Sequence, residues 1–128
     1  MQKVPKALKV WFVIHFVLDV LFAIPLMIAP KASLALMGWN TFDPLTTRLV
    51  AAALLGIGIE SFLGRNSGKE SYIGMLNLKI IWSAAAIVAI VKTICCPNIE
   101  APIGLVAILG GFILFNFNWI YWRLQLNK

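Results

Sequence analysis

The stretch "VIHFVLDVLF", residues 13–22, lies in the middle of the first long apolar segment of the chain. Its side chains are nearly all suited to lipid, but it contains His15 and, four residues later, Asp19. The surrounding apolar segment extends from Val10 to Pro30, which matches the roughly 20 residues that a helix needs to cross a bilayer core. The stretch therefore predicts a membrane span that carries two ionisable side chains.

The composition of the whole chain points the same way. Of its 128 residues, 61% are hydrophobic and 12% are charged, whereas soluble domains average roughly 45–50% and about 25%. A soluble fold of this size has too little interior to bury so much apolar surface. The net charge of +6 does not indicate nucleic acid as a partner, because the basic residues lie between the apolar runs and form no basic stripe. We expect one integral membrane domain over residues 1–128, with membrane lipid around it.

Three more apolar segments follow the first, and each has helix-start signals or sufficient length. Asp43 is a good N-cap and Pro44 suits the first helical position of the second segment. Residues 31–40, "KASLALMGWN", are too short to cross the membrane and too apolar for an ordinary loop, so they predict an amphipathic turn of helix in the interface. The fold class is thus all-α, a bundle of four transmembrane helices with a short interfacial segment between the first two. The predicted spans are approximately residues 7–29, 44–64, 71–94 and 102–126.

The distribution of Lys and Arg predicts the orientation of these spans. Seven basic residues flank one end of the spans and three flank the other. Because cytoplasmic loops carry the excess of positive charge, both termini are expected in the cytoplasm of a multi-pass protein of the cell membrane. The larger group comprises Lys3, Lys6, Lys9, Arg65, Lys69, Arg123 and Lys128, and the smaller comprises Lys31, Arg48 and Lys92.

Polar residues from all four spans fall at similar depths. At about 1.5 Å per residue from the cytoplasmic end, the candidates lie roughly 6–18 Å into the membrane. Lone ions in lipid are costly, roughly 2.5–3.5 kcal/mol each on insertion scales, so these groups are expected to face protein and to pair. The predicted proton- or ligand-binding residues of this polar layer are His15, Asp19, Glu60, Lys79 and Asn118. On the second span, Ala52, Gly56 and Glu60 share a face that is predicted to be the packed one.

Asn77 and Asn116 lie about 200° around their helices from Lys79 and Asn118, at roughly 100° per residue. They are therefore predicted to face a second protein surface, either another copy of the chain in a homo-oligomer or a membrane protein partner.

Two interpretations of the polar layer remain open from the sequence. In the structural one, Glu60 and Lys79 form a buried salt bridge, His15 binds a neighbour, and the layer fixes helix packing. In the functional one, the same groups bind or pass a small ligand or a proton, because intramembrane ionisable residues are often functional. The protein would then be non-enzymatic or an accessory subunit; the alternative is a membrane isomerase or transferase that acts on a lipid-like substrate.

The chain lacks the sequence motifs of common catalytic, nucleotide and haem sites. Cys95 and Cys96 are adjacent, which is neither a disulfide framework nor a zinc motif, so they are interpreted as two free thiols. No cofactor, metal or catalytic residue is predicted.

Four spans in 128 residues, an interfacial segment after the first, and "RLVAAALLGIGIESFLGR" over residues 48–65 resemble the small four-helix membrane proteins grouped as DoxX-like, or a neighbouring family of unknown function. The resemblance covers most of the chain loosely. It implies the four-helix fold and carries no residue roles.

The predicted orientation is testable with reporter fusions. Reporters placed after Lys128 and within residues 66–69 should report the cytoplasm, and a reporter near Asn98 should report the opposite side, because the positive-inside rule assigns these positions to different faces. Activity of paired cytoplasmic and external reporters in whole cells measures this. Agreement between the reporters at 66–69 and 98 would contradict the four-span arrangement.

Overall fold

The computed structural model describes residues 3–98 and 100–128 of the chain. These residues form helices and contain no strand, which confirms the all-α prediction. A single 3-10 turn, Gly64–Asn66, follows the third helix. The five helices are α1 (Lys6–Ile28), α2 (Pro30–Leu36), α3 (Pro44–Leu63), α4 (Lys69–Ile94) and α5 (Ile103–Gln125).

Four of the helices are long and apolar enough to cross a membrane, namely α1, α3, α4 and α5. They contain between 20 and 26 residues, or roughly 30–39 Å at 1.5 Å per residue, against a hydrocarbon core of about 30 Å. Each begins and ends within two residues of its predicted span. By length and composition the chain is therefore a multi-pass membrane protein.

The chain divides into two compact units, Met1–Tyr72 and Ile73–Lys128. The first contains α1, α2, α3 and the first residues of α4, and the second contains the rest of α4 and α5. The prediction of one domain stays a prediction.

Local sequence signals explain how α2 and α3 begin and end. The carboxylate of Asp43 accepts hydrogen bonds from the backbone N–H groups of Leu45 (3.2 Å) and Thr46 (3.1 Å), which otherwise lack partners at a helix start. Pro44 occupies the first helical position, where a missing N–H costs nothing. α2 likewise begins with a proline, and the turn after it contains Gly38 at φ 90°, a backbone conformation that only glycine adopts without strain. The short helix fits the predicted segment between the first two spans.

The first unit is held together by the packing of α1 along α3. Towards the C-terminal end of α1, Ala23, Leu26 and Ala51 form a buried apolar cluster, and Met27, Leu34, Met37, Leu54 and Leu55 pack around it. Arg48 Nε donates to the Met27 carbonyl oxygen at 3.3 Å. This carbonyl lies in the last turn of α1, where no following helical N–H is available. An arginine of α3 therefore satisfies the end of α1.

Aromatic contacts join the other end of the same helices. The rings of Phe16 and Phe62 stack with centroids 4.7 Å apart, and the Arg65 guanidinium lies 3.7 Å from the Phe62 centroid. Phe12 contacts Tyr72 with a centroid separation of 4.6 Å, and the Tyr72 hydroxyl donates to the Arg65 carbonyl oxygen at 2.7 Å. Aromatic pairs and cation–π contacts each contribute on the order of 0.5–1.5 kcal/mol. They fix the register of α1 against α3 at this end.

The cap at Asp43 predicts an acid-sensitive start of α3. Hydrogen bonds from the Thr46 side chain and the Thr46 and Leu45 N–H groups hold the pKa of Asp43 below its usual 3.8. A carboxylate whose pKa is lowered in the folded state contributes stability at pH values above its usual pKa. This contribution is lost as the pH falls through the lowered pKa. Asp43→Asn should therefore lower the thermal unfolding temperature at pH 6, and the difference from wild type should shrink as pH approaches 3. Circular dichroism in detergent micelles measures this.

Glu100→Gln is the matched control, because it removes a different exposed carboxylate and reports the effect of net charge alone. A deficit of Asp43→Asn that stays constant from pH 6 to pH 3 would contradict the role of the ionised cap.

Candidate functional site

His15 and Asp19, the two ionisable residues in the middle of the first span, lie together on one face of α1. His15 Nδ1 and Asp19 Oδ2 are 2.9 Å apart, and their side chains are 12% and 9% exposed. The approach is that of an ion pair, but no donor among the described residues is aligned on Asp19 Oδ2 as a hydrogen bond, and that oxygen is fully enclosed. The pair is thus a close electrostatic contact at a point where a proton can be shared between imidazole and carboxyl groups.

The enclosure of Asp19 depends on a glycine of α3. A Cβ atom at Gly58 would lie 2.7 Å from Asp19 Cβ and 3.2 Å from Asp19 Oδ2, so only glycine permits this approach. Ser61, one turn further along α3, is fully buried, and its hydroxyl donates to the Ile57 carbonyl oxygen at 2.6 Å. α3 therefore covers the carboxyl group of Asp19 largely with its own backbone. Close packing of this kind is typical of small residues at membrane helix interfaces.

The packed face of α3 differs from the predicted one. Ala52, Gly56 and Glu60 are exposed, and a Cβ atom at Gly56 would meet nothing within 4 Å. The prediction of this face was wrong by one residue of helical phase, about 100°. Glu60 as a site residue stays a prediction, and the structure places it on an exposed side of α3. The buried positions of α3 are Thr47, Ala51, Gly58 and Ser61.

The face that is packed in the structure also has a stripe of mostly small residues in the sequence. Counting from Thr47, steps of four and three residues reach Ala51, Leu54, Gly58 and Ser61, which are small apart from the leucine. The stripe of Ala52, Gly56 and Glu60 has similar helical spacing, and it also contains a charged residue. Only the position of the neighbouring helix distinguishes the two stripes.

Lys79, the charged residue of the third span, lies in the second unit and is only 2% exposed. Its ammonium nitrogen is 5.1 Å from the centroid of the Trp119 ring, which in turn stacks on Phe115 at 5.6 Å. A cation over the face of tryptophan is attracted by the ring quadrupole, by up to about 2 kcal/mol when desolvated. The aromatic side chains of α5 therefore form part of the surroundings of this buried charge.

Asn116 and Asn77 have partners within the second unit. Asn116 Nδ2 donates to the Ile80 carbonyl oxygen (3.1 Å) and to Ser83 Oγ (2.8 Å), and Ser83 Oγ donates to the Lys79 carbonyl oxygen (2.7 Å). Asn77 Oδ1 accepts from Arg123 Nε at 2.9 Å. Both asparagines therefore have hydrogen-bond partners within the second unit, and a second protein surface at these residues stays a prediction. Oligomer formation itself stays a prediction.

Asn118 is half-buried on α5, and its Nδ2 atom is enclosed without a hydrogen-bond partner among residues 3–98 and 100–128. The same holds for Nε1 of Trp122, one turn further along α5. Of the predicted polar layer, the structure brings His15 and Asp19 together in the first unit and places Lys79 and Asn118 in the second. The sequence did not indicate three residues that lie near these polar groups: Gly58 and Ser61 near Asp19, and Trp122 near Asn118.

The role of Gly58 is testable with a matched pair of glycines on one helix. Gly58→Ala should destabilise the protein by roughly 1–3 kcal/mol, because the added methyl group overlaps Asp19 Cβ and forces α1 and α3 apart. Gly56→Ala adds the same atom in open space and should be neutral or stabilising by up to about 1 kcal/mol through helix propensity. Denaturant titration in micelles measures both. Equal effects of the two substitutions would mean that Asp19 is not enclosed by α3.

Comparisons of the chain with models of known protein families, with curated proteins and with solved structures found no match in any of the three. The function proposed below therefore depends on the geometry of the chain's own residues.

Proposed function

We propose that this multi-pass protein lies in the cell membrane with both termini in the cytoplasm, and that it binds a proton at the pair formed by His15 and Asp19. The observation that supports the proposal is the enclosed Asp19 Oδ2 atom, 2.9 Å from His15 Nδ1 within a span. The proposal includes a resemblance of the fold to DoxX-like proteins. This resemblance does not concern proton binding.

The chemistry of the pair favours a proton over other small ligands. Between them, an imidazole and a carboxyl group hold one proton either as imidazolium with carboxylate or as two neutral groups, and neither state has a net charge. Such a pair is tolerated in a span, whereas an isolated carboxylate is not. Binding a second proton gives the pair a net positive charge.

The location of the pair supports the same role. His15 is nine residues and Asp19 thirteen residues from the first residue of α1, or about 14 Å and 20 Å at 1.5 Å per residue. With the start of α1 at the cytoplasmic surface, the two groups lie in the middle third of the bilayer. A protonatable pair at that depth exchanges protons with only one side of the membrane at a time, unless a proton path connects the pair to both sides. We therefore propose proton-linked binding or transport, carried out alone or as a subunit of a larger complex.

Asp19→Asn tests the proposal, because it keeps the shape of the side chain and removes its titration. On acidification the purified protein in liposomes should take up protons, and infrared difference spectra should show the appearance of a carboxyl C=O band. In Asp19→Asn this carboxyl band should be absent, while the unfolding temperature at pH 7 changes little.

Glu60→Gln is the control that separates the two carboxyl groups within the spans. If Glu60→Gln removes the band and Asp19→Asn does not, the proton binds at Glu60. A pH response in Asp19→Asn that equals that of wild type would leave the pair with a packing role alone.

A further inference from the structure

Two nitrogen donors of α5 are enclosed without acceptors. Asn118 Nδ2 and Trp122 Nε1 have no hydrogen-bond partner in residues 3–98 and 100–128, and both atoms are buried. The residues are four apart on a helix, so their side chains lie on one face with Cβ atoms about 5–6 Å apart. An oxygen atom between them could accept from both.

The neighbouring polar side chains of the second unit have hydrogen-bond partners, in contrast to these two donors. Asn116, two residues before Asn118, donates to two acceptors, and Arg123, next to Trp122, donates to Asn77 and to Asn127. Asn118 Nδ2 and Trp122 Nε1 have no such partner among the described residues. Buried donors in folded proteins nearly always have an acceptor, which here has to come from outside the described residues.

The chemistry of the two groups defines what that acceptor is. Both are uncharged and can only donate through these atoms, so they suit an uncharged oxygen with two lone pairs better than a cation or a strongly charged anion. Trp122 is three residues and Asn118 seven residues from the end of α5 at Gln125, or about 5 Å and 10 Å. In a bilayer this is the level just inside the headgroups, where tryptophan side chains are enriched and lipid ester groups lie.

We propose that Asn118 and Trp122 together bind one uncharged oxygen acceptor, which is either the ester carbonyl of a membrane lipid or a single retained water molecule. Both side chains are half-buried as a whole, and their two nitrogen atoms are enclosed. The proposal is independent of the proton-binding pair, because it uses no titratable group and no residue of α1.

The experiment follows the indole N–H of Trp122 by NMR in nanodiscs, with ¹⁵N-labelled tryptophan. Trp122→Phe assigns the resonance among the five tryptophans, and the indole of Trp39, which lies outside α5, is the internal reference. The same protein is measured in diacyl lipids, which carry ester carbonyls, and in dialkyl ether lipids, which do not. Magnetisation transfer from water is recorded in both.

We expect a downfield Trp122 N–H resonance in diacyl lipid. Its loss in ether lipid identifies the lipid ester as the acceptor; its retention in both, with transfer from water, identifies a bound water. Asn118→Leu should shift the Trp122 resonance and leave that of Trp39 unchanged, because the shared acceptor loses one of its two donors. A Trp122 resonance at the position of an unbonded indole in both lipids, or a downfield resonance in both without transfer from water, would overturn the proposal.

Discussion

The close approach of α3 to α1 at Gly58 encloses the carboxyl group of Asp19 within a span. A charged carboxyl group at the centre of a span costs roughly 2.5–3.5 kcal/mol, so covering this face of α1 favours its place in the membrane. Because a single methyl group at Gly58 would overlap Asp19, the covering is done by backbone. The distance between α1 and α3 therefore depends on one residue.

The remainder of the first unit holds that approach in place from both directions. On one side are the apolar cluster of Ala23, Leu26 and Ala51 and the bond from Arg48 to the end of α1. On the other side are the stacked rings of Phe16 and Phe62, and the hydroxyl of Tyr72 bonded beyond the end of α3. The structural and the functional interpretations of His15 and Asp19 are thus compatible, since a pair that is held this firmly can also exchange a proton.

The second unit uses its polar residues differently. Asn116 and Ser83 form hydrogen bonds between α4 and α5, and Asn77 binds Arg123. Such bonds between membrane helices contribute about 0.6 kcal/mol on average. They fix which faces of the two helices meet. Among the described residues, Asn118 Nδ2 and Trp122 Nε1 of α5 are buried donors without an acceptor, and we therefore infer a bound oxygen acceptor at this position.

The sequence by itself determined the number, length and boundaries of the spans. These depend on the thickness of the bilayer and on local signals such as Asp43 and Pro44, which act within one turn of helix. The same is true of the pairing of His15 with Asp19, because residues four apart on a helix are neighbours in any fold.

The tertiary structure alone decided which face of α3 covers Asp19 and which groups bind Asn77 and Asn116. In a soluble helix the polar face would mark the solvent side, but lipid tolerates every apolar face of a span equally. The stripe through Ala51 and Gly58 and the stripe through Ala52 and Gly56 are therefore equivalent in the sequence. Only the neighbouring helix, which brings a carboxyl group to Gly58, makes them different.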